Sequence, residues 1–146
     1  MVTRRVDRLL PYTAEQLFDL AADVESYPEF LPLWISARIR KRDGNEYHTD
    51  QVLGLGPFRI EFGSRTVLQR PSRIDVTSTD FPFRRFRMTW TFEPQPDAAC
   101  KVTGFSDFEL RLSVFQGIYD QVLPNTIGDI MAAFEKRAAR LYARSV

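Results

Sequence analysis

IGDIMAAFEKRAARL, Ile127 to Leu141, is the stretch whose reading decides the fold. Ile127, Ile130, Met131, Phe134, Ala138 and Leu141 repeat at helical spacing, while Lys136, Arg137, Arg140 and Arg144 fall mostly on other faces, so the segment reads as an amphipathic helix. The helical period sets in at about Val114, and Pro124 must interrupt or kink it, because proline lacks an amide donor and clashes with the preceding turn. A helix with one apolar stripe needs a surface to bury it against, and the rest of the chain has to supply that surface.

Upstream, the period is two. Val2 to Leu10 alternates imperfectly and ends at Pro11. One or two short helices interrupt: Thr13 is a good N-cap with Gln16 in the capping-box position, Leu17, Phe18, Leu20 and Ala21 make an apolar stripe ending near Asp23, and a short helix or turn follows at VESYPEFLPLW. Trp34 to Lys41 and Glu46 to Leu55 read as a hairpin about Asp43-Gly44-Asn45. Phe58 to Leu68 follows, then Arg73 to Thr79. The cleanest alternation is Phe86, Met88, Trp90 and Phe92 against Arg87, Thr89, Thr91 and Glu93. Pro94, Pro96 and Asp97 make the next turn, and Cys100 to Leu112 is the seventh strand. An α+β fold results: an antiparallel sheet of seven strands with one apolar face, covered by the only element long enough, the last helix. A curved sheet gripping one helix seldom packs solid along its length, so a cavity between them is expected.

The 146 residues, 44% hydrophobic, suit one domain over residues 1–146 with a single core. With 20 Lys+Arg against 19 Asp+Glu there is no global basic field, which argues against DNA as a partner. Cys100 stands alone, so neither an internal disulfide nor a thiolate metal cluster can form, and a reducing compartment fits. No apolar run approaches the roughly 20 residues that span a bilayer, and the N-terminal stretch lacks a secretory h-region. The expectation is a cytoplasmic bacterial protein, with peripheral contact at the inner face of the membrane left open.

The element order resembles the helix-grip fold of the START and birch-pollen-allergen superfamily. Within it, DVESYPEFLPLW, FRIEFGSRTVL, RMTWTFEP and IMAAFEKRAARLY resemble the coenzyme-Q-binding START family, also described as polyketide-cyclase-like, which includes the bacterial ribosome-association toxin relatives. The resemblance implies that a lipophilic quinone, ubiquinone in particular, is bound as a ligand, and that the protein is a quinone chaperone or carrier supporting respiratory electron transport. It also implies that VESYPEFLPLW lies near one end of the cavity, where Tyr27, Phe30, Leu31 and Trp34 form either a lid or a plug completing the core. On the last helix Met131 and Phe134 are the first wall candidates, since a pliable thioether and a flat ring suit an adaptable apolar ligand. Ile127 and Ile130 come next. On the sheet the corresponding residues are Phe62, Met88, Trp90 and Phe108; for each, plain core is the alternative.

A quinone head group needs a few donors, and Tyr27, Trp34, Gln51 and Tyr119 can supply them. A pocket at the upper limit of about 1,000 Å³, at about 30 Å³ per heavy atom, holds roughly 33 atoms, so a long polyprenyl tail must leave through a mouth. The loop Phe81-Pro82-Phe83-Arg84-Arg85 sets aromatics beside cations, as membrane-contacting segments do; its alternative is a turn with both rings folded onto the core.

Catalysis has little to work with. His48 and Asp50 share a strand face, as an acid/base pair would, but Arg40 and Lys41 on the neighbouring strand mark that face as solvated. An enzyme of the cyclase or dehydratase kind would need Asp50, His48 or Glu109 to point inward, against the alternation. No catalytic residue and no metal ligand is assigned. A third class, a ribosome-associating module like the toxin relatives, would draw on Arg38, Arg40, Lys41, Lys136, Arg137 and Arg140.

Overall fold

The computed structural model describes residues 2–55, 58–80, 83–111 and 126–142. The chain runs β1 (Val2–Leu10), α1 (Ala14–Ala22), a 3-10 turn (Val24–Glu29), β2 (Trp34–Asp43), β3 (Glu46–Leu55), β4 (Phe58–Gln69), β5 (Arg73–Ser78), β6 (Phe83–Gln95), β7 (Ala99–Leu110) and α2 (Thr126–Tyr142). The strands form one antiparallel sheet in the order β1-β7-β6-β5-β4-β3-β2. Five ladders follow the chain's own hairpins, and in the sixth β1 is carried across to pair with β7. This is the curved sheet and C-terminal helix expected from the periodicity.

Local chemistry explains most boundaries. Thr13 Oγ1 accepts from the Gln16 amide at 3.1 Å and Gln16 Oε1 accepts from the Thr13 amide at 3.0 Å, closing the capping box at the start of α1. At its other end, the Tyr27 and Tyr47 hydroxyls donate to the Ala21 and Ala22 carbonyls, which have no partner within the helix. Gly44 takes φ 60° in the β2–β3 turn. Pro94 does not begin the turn after β6: it lies within the strand opposite Cys100, beyond the last β5 pairing at Thr91, where a missing amide costs little. The turn follows, with Asp97 and Ala98 at φ 64° and 58°. The readings placed on Leu112, Val114, Tyr119 and Pro124 fall outside the described residues.

The registers align side chains in rows across the sheet. One row on the concave face is Arg4, Ser106, Met88, Val76, Thr66, Tyr47 and Arg42, a residue from every strand. In the next, Gly104 lies beside Trp90; a Cβ on Gly104 would sit 2.7 Å from the indole ring, so only glycine lets that ring lie flat on β7. The convex face carries cross-strand ion pairs instead, among them Arg85–Asp107 at 3.2 Å, Arg87–Asp75 at 3.5 Å and Arg40–Asp50 at 3.7 Å.

Among the described residues, two helices cover the concave face, and they do so unequally. α1 packs on β5, β6 and α2, and α2 packs on β1 and β7. Leu10, Leu17, Phe18, Phe92, Met131 and Ala138 fill the space at that end. Phe18 meets Phe92 edge-on at 5.8 Å.

Candidate functional site

Away from α1 the concave face is hollow. The cavity volume is about 100 Å³, inside a concavity whose atom-free space, counted out to open solvent, is about 1,070 Å³. At roughly 10–15 Å³ per water molecule the cavity has room for about seven to ten waters, the size of one substituted ring. It is far smaller than the upper limit of about 1,000 Å³ for a ligand pocket, and a long polyprenyl chain would not fit within it.

Three elements build the wall. The 3-10 turn and the segment after it contribute Tyr27, Leu31 and Trp34; the sheet contributes Phe62, Met88, Trp90 and Phe108; α2 contributes Ile130 and Phe134. Phe134 joins these parts, with ring centroids 5.7 Å from Tyr27 and 5.4 Å from Trp90, both edge-on. Leu33 at φ 74° bends the chain, its carbonyl accepts from the Gly54 amide at 2.8 Å, and bulges in β2 after Trp34 and Ile39 re-aim that strand. Trp34 is thereby placed over Gln51.

Several expected positions move. Phe30 does not line the cavity; its ring packs on Phe134 at 5.4 Å behind the wall, under the Arg137 guanidinium at 5.1 Å. Met131 is fully buried at the α1 end, because one residue beyond Ile130 is about 100° further round a helix. The side chain of Ile127 lies outside the described residues. Phe83 is not a membrane-facing ring: it is 2% exposed and packs on Phe62 and Phe86 at 5.1 and 5.0 Å. Arg84 and Arg85 are exposed on the convex side, paired with Glu109 and Asp107; Phe81 is outside the described residues. Arg137 leaves the expected basic surface, since its side chain is only 15% exposed and reaches Glu29 at 3.7 Å.

The cavity also has walls that sequence reasoning did not single out: Leu33, Leu53, Val76 and Phe86, and the polar Arg4, Thr66 and Ser106. Period-two alternation places most of them inward. Membership of the cavity depends on register across strands, which alternation does not give.

The polar interior is arranged as a chain. Trp34 Nε1 donates to Gln51 Oε1 at 2.8 Å, and Gln51 Nε2 donates to Thr49 Oγ1 at 2.9 Å and Ser64 Oγ at 3.0 Å. Thr49 and Ser64 hydroxyls are 2.5 Å apart. Burial pushes the Tyr27 hydroxyl well above its ordinary pKa and that of Tyr47 up to about 12, so both remain neutral donors. Cys100 is buried at the α1 end, and burial raises its thiol to about 11. Asp50, His48 and Glu109 sit on the convex side, Asp50 and Glu109 beside Arg40 and Arg84. Among the described residues, no three or more His, Cys, Asp or Glu come together as metal ligands, and no helix is long and apolar enough to cross a membrane.

Comparison with known proteins agrees with this architecture. A family model described as polyketide cyclase / dehydrase and lipid transport matches residues 10–135. The ribosome association toxin RatA of Escherichia coli strain K12 is 28% identical over 135 residues, covering 92% of this chain and 85% of its own. The mitochondrial coenzyme Q-binding protein of Dictyostelium discoideum is 26% identical over 153 residues, covering 99% and 73%. The solution structure of an 18 kDa protein from Caulobacter crescentus is 29% identical and superposes with a TM-score of 0.79, covering 99% of this chain and all of that one.

Proposed function

The chain belongs to the polyketide cyclase / dehydrase and lipid transport family, a START-like family, and from that premise we propose that it binds the ring of a lipophilic quinone between sheet and α2 and acts as a quinone carrier. The observation that carries this reading is the cavity itself: apolar on most of its wall, ring-sized and continuous with solvent. Similarity to a coenzyme Q-binding protein over 99% of the chain supports the same ligand class. The alternative of a cyclase-like enzyme would need a titratable pair facing the cavity. The described polar wall groups are hydroxyls, indole N–H groups, one amide and a guanidinium, which suits binding without chemistry.

Trp34 and Trp90, the only tryptophans of the chain, both line the cavity. Titration with a short-tail ubiquinone should therefore quench most of the intrinsic tryptophan emission with one-to-one stoichiometry. Absence of quenching, together with no quinone among lipids extracted from protein purified out of native membranes, would refute the proposal.

A second reading, association with ribosomes, is favoured by the similarity to RatA over 92% of the chain. The cations for it are the exposed Arg38, Arg40 and Lys41 on the edge strand β2 and Lys136 and Arg140 on α2. Co-sedimentation with large ribosomal subunits at moderate salt tests it; charge reversal at Arg38 and Lys41 should release the protein if it holds.

A further inference from the structure

Among the described residues, the donors that sequence reasoning offers to a head group, Tyr27, Trp34 and Gln51, are already used. The Tyr27 hydroxyl is held by the Ala21 carbonyl, Trp34 Nε1 by Gln51, and both amide hydrogens of Gln51 by Thr49 and Ser64. A ligand oxygen approaching any of them would have to break a buried bond first.

Two other donors on the wall have capacity to spare. Ser106 is buried on β7, its side chain on the concave face, and its hydroxyl makes no side-chain hydrogen bond among the described residues. Directly opposite it on β1 stands Arg4, also part of the cavity wall. One Arg4 amine, Nη1, donates to the Thr3 carbonyl at 2.9 Å; no carboxylate of the described residues is within ion-pair distance, and the other N–H groups of the guanidinium remain. Directly opposed residues of an antiparallel pair project to the same side with Cβ atoms about 4.5–5.5 Å apart, so hydroxyl and guanidinium can serve one oxygen. The contrast with the convex face is informative. There Arg40, Arg73, Arg84, Arg85 and Arg87 each face a carboxylate.

We propose that Arg4 and Ser106 are the head-group recognition point of the cavity, the Ser106 hydroxyl and an Arg4 N–H donating to an acceptor oxygen on an otherwise apolar ligand. That oxygen is a quinone carbonyl or, in the same chemistry, a lipid carboxylate. The inference rests on the reading that an oxygen-bearing apolar ligand enters the cavity. It places recognition on β1 and β7, remote in the chain from the Tyr27–Trp34 segment.

The test uses two probes of one shape, tetramethyl-1,4-benzoquinone and 1,2,4,5-tetramethylbenzene, with dodecanoate as a third, and affinities measured by ligand-observed NMR. The parent protein should prefer the quinone to the hydrocarbon. Arg4→Met should weaken the quinone roughly 10- to 100-fold and Ser106→Ala roughly 2- to 10-fold, with the hydrocarbon unchanged in both. Thermal unfolding verifies that each variant is folded, and Arg4→Lys, which keeps the charge, should retain part of the affinity. Quinone affinities within twofold of the parent in both variants overturn the proposal while leaving the quinone reading intact. Dodecanoate binding that depends on Arg4, with no quinone binding, supports the recognition point and overturns the quinone; binding of neither overturns both. An inward charge on an edge strand can also act by blocking strand-to-strand association. Raised self-association of Arg4→Met with unchanged affinities would assign Arg4 that role and overturn the proposal.

Discussion

The two ends of the concave face are built from the same kinds of side chain, yet one is solid and the other hollow. Where α1 lies, Phe18, Phe92, Cys100, Met131 and Ala138 interlock and leave a void of only about 20 Å³. At the other end Phe62, Phe83 and Phe108 are as large and as buried, and the void is about 100 Å³. Wall chemistry does not make the difference. Cover does: α1 sends Leu17 and Phe18 down onto the sheet at one end, while at the other the row through Ser106, Met88, Val76 and Thr66 carries three short side chains and one long one. Close packing is the default for an interior, and the hollow departs from it at the end that α1 does not cover.

The widest separation between the two ends should appear on truncation. Phe18→Ala, at the solid end, should cost about 3–5 kcal/mol in urea unfolding, since the neighbours in contact with Phe92 cannot collapse fully. Quinone affinity per folded molecule should not change; a change would show that the ends are coupled. Gly104→Ala lies at the boundary, and because its Cβ would meet the Trp90 ring at 2.7 Å, it should cost about 1–3 kcal/mol and also weaken binding as the indole is displaced into the cavity. Val76→Phe fills the hollow end. Its stability should change by about 1 kcal/mol or less in calorimetry, while quinone-induced quenching is lost. A loss of stability as large as that of Phe18→Ala would mean the hollow is packed more tightly than its volume implies.

The smallest effect concerns the clamp on the solid end. Arg70 donates to both carboxylate oxygens of Asp19 on α1 at 2.9 Å, and this hydrogen bonding holds the Asp19 pKa below its ordinary value. A carboxylate depressed on folding stabilises the fold above its unfolded pKa of about 3.9, and the contribution is lost as pH falls through the lower folded value. Asp19 is 53% exposed, so solvent screening keeps the effect below about 1 kcal/mol. The melting-temperature difference between the parent and Asp19→Asn should therefore be small at neutral pH and vanish in acid, once pH falls below the lowered folded pKa. Persistence of the difference in acid would exclude the ion pair as its source.

Alternation and capping made the strands and α1 legible, because both are local: Thr13 with Gln16, and Phe86 to Phe92 against their polar partners, need no distant information. The candidate site was legible only in part. Ile130 and Met131 belong to one apolar stripe, yet one faces the hollow and the other the solid end: the helical step separates their directions, but which direction meets α1 is set by the fold. Phe83 looked like a loop residue beside cations and is instead the start of β6, with its ring turned into the Phe62 cluster. Arg4 was invisible as a wall residue because its neighbour there, Ser106, is 102 positions away in the chain.

That separation also orders events in time. Every ladder but one forms between strands adjacent in sequence, so most of the sheet can zip up hairpin by hairpin as it is made. The β1–β7 ladder alone must close a long loop, and at about 5–20 residues per second of synthesis β1 waits roughly 5–20 seconds for its partner to emerge. The oxygen-recognition point thus comes into being with the last ladder, and a chain that can grip a head group is one whose sheet is already complete.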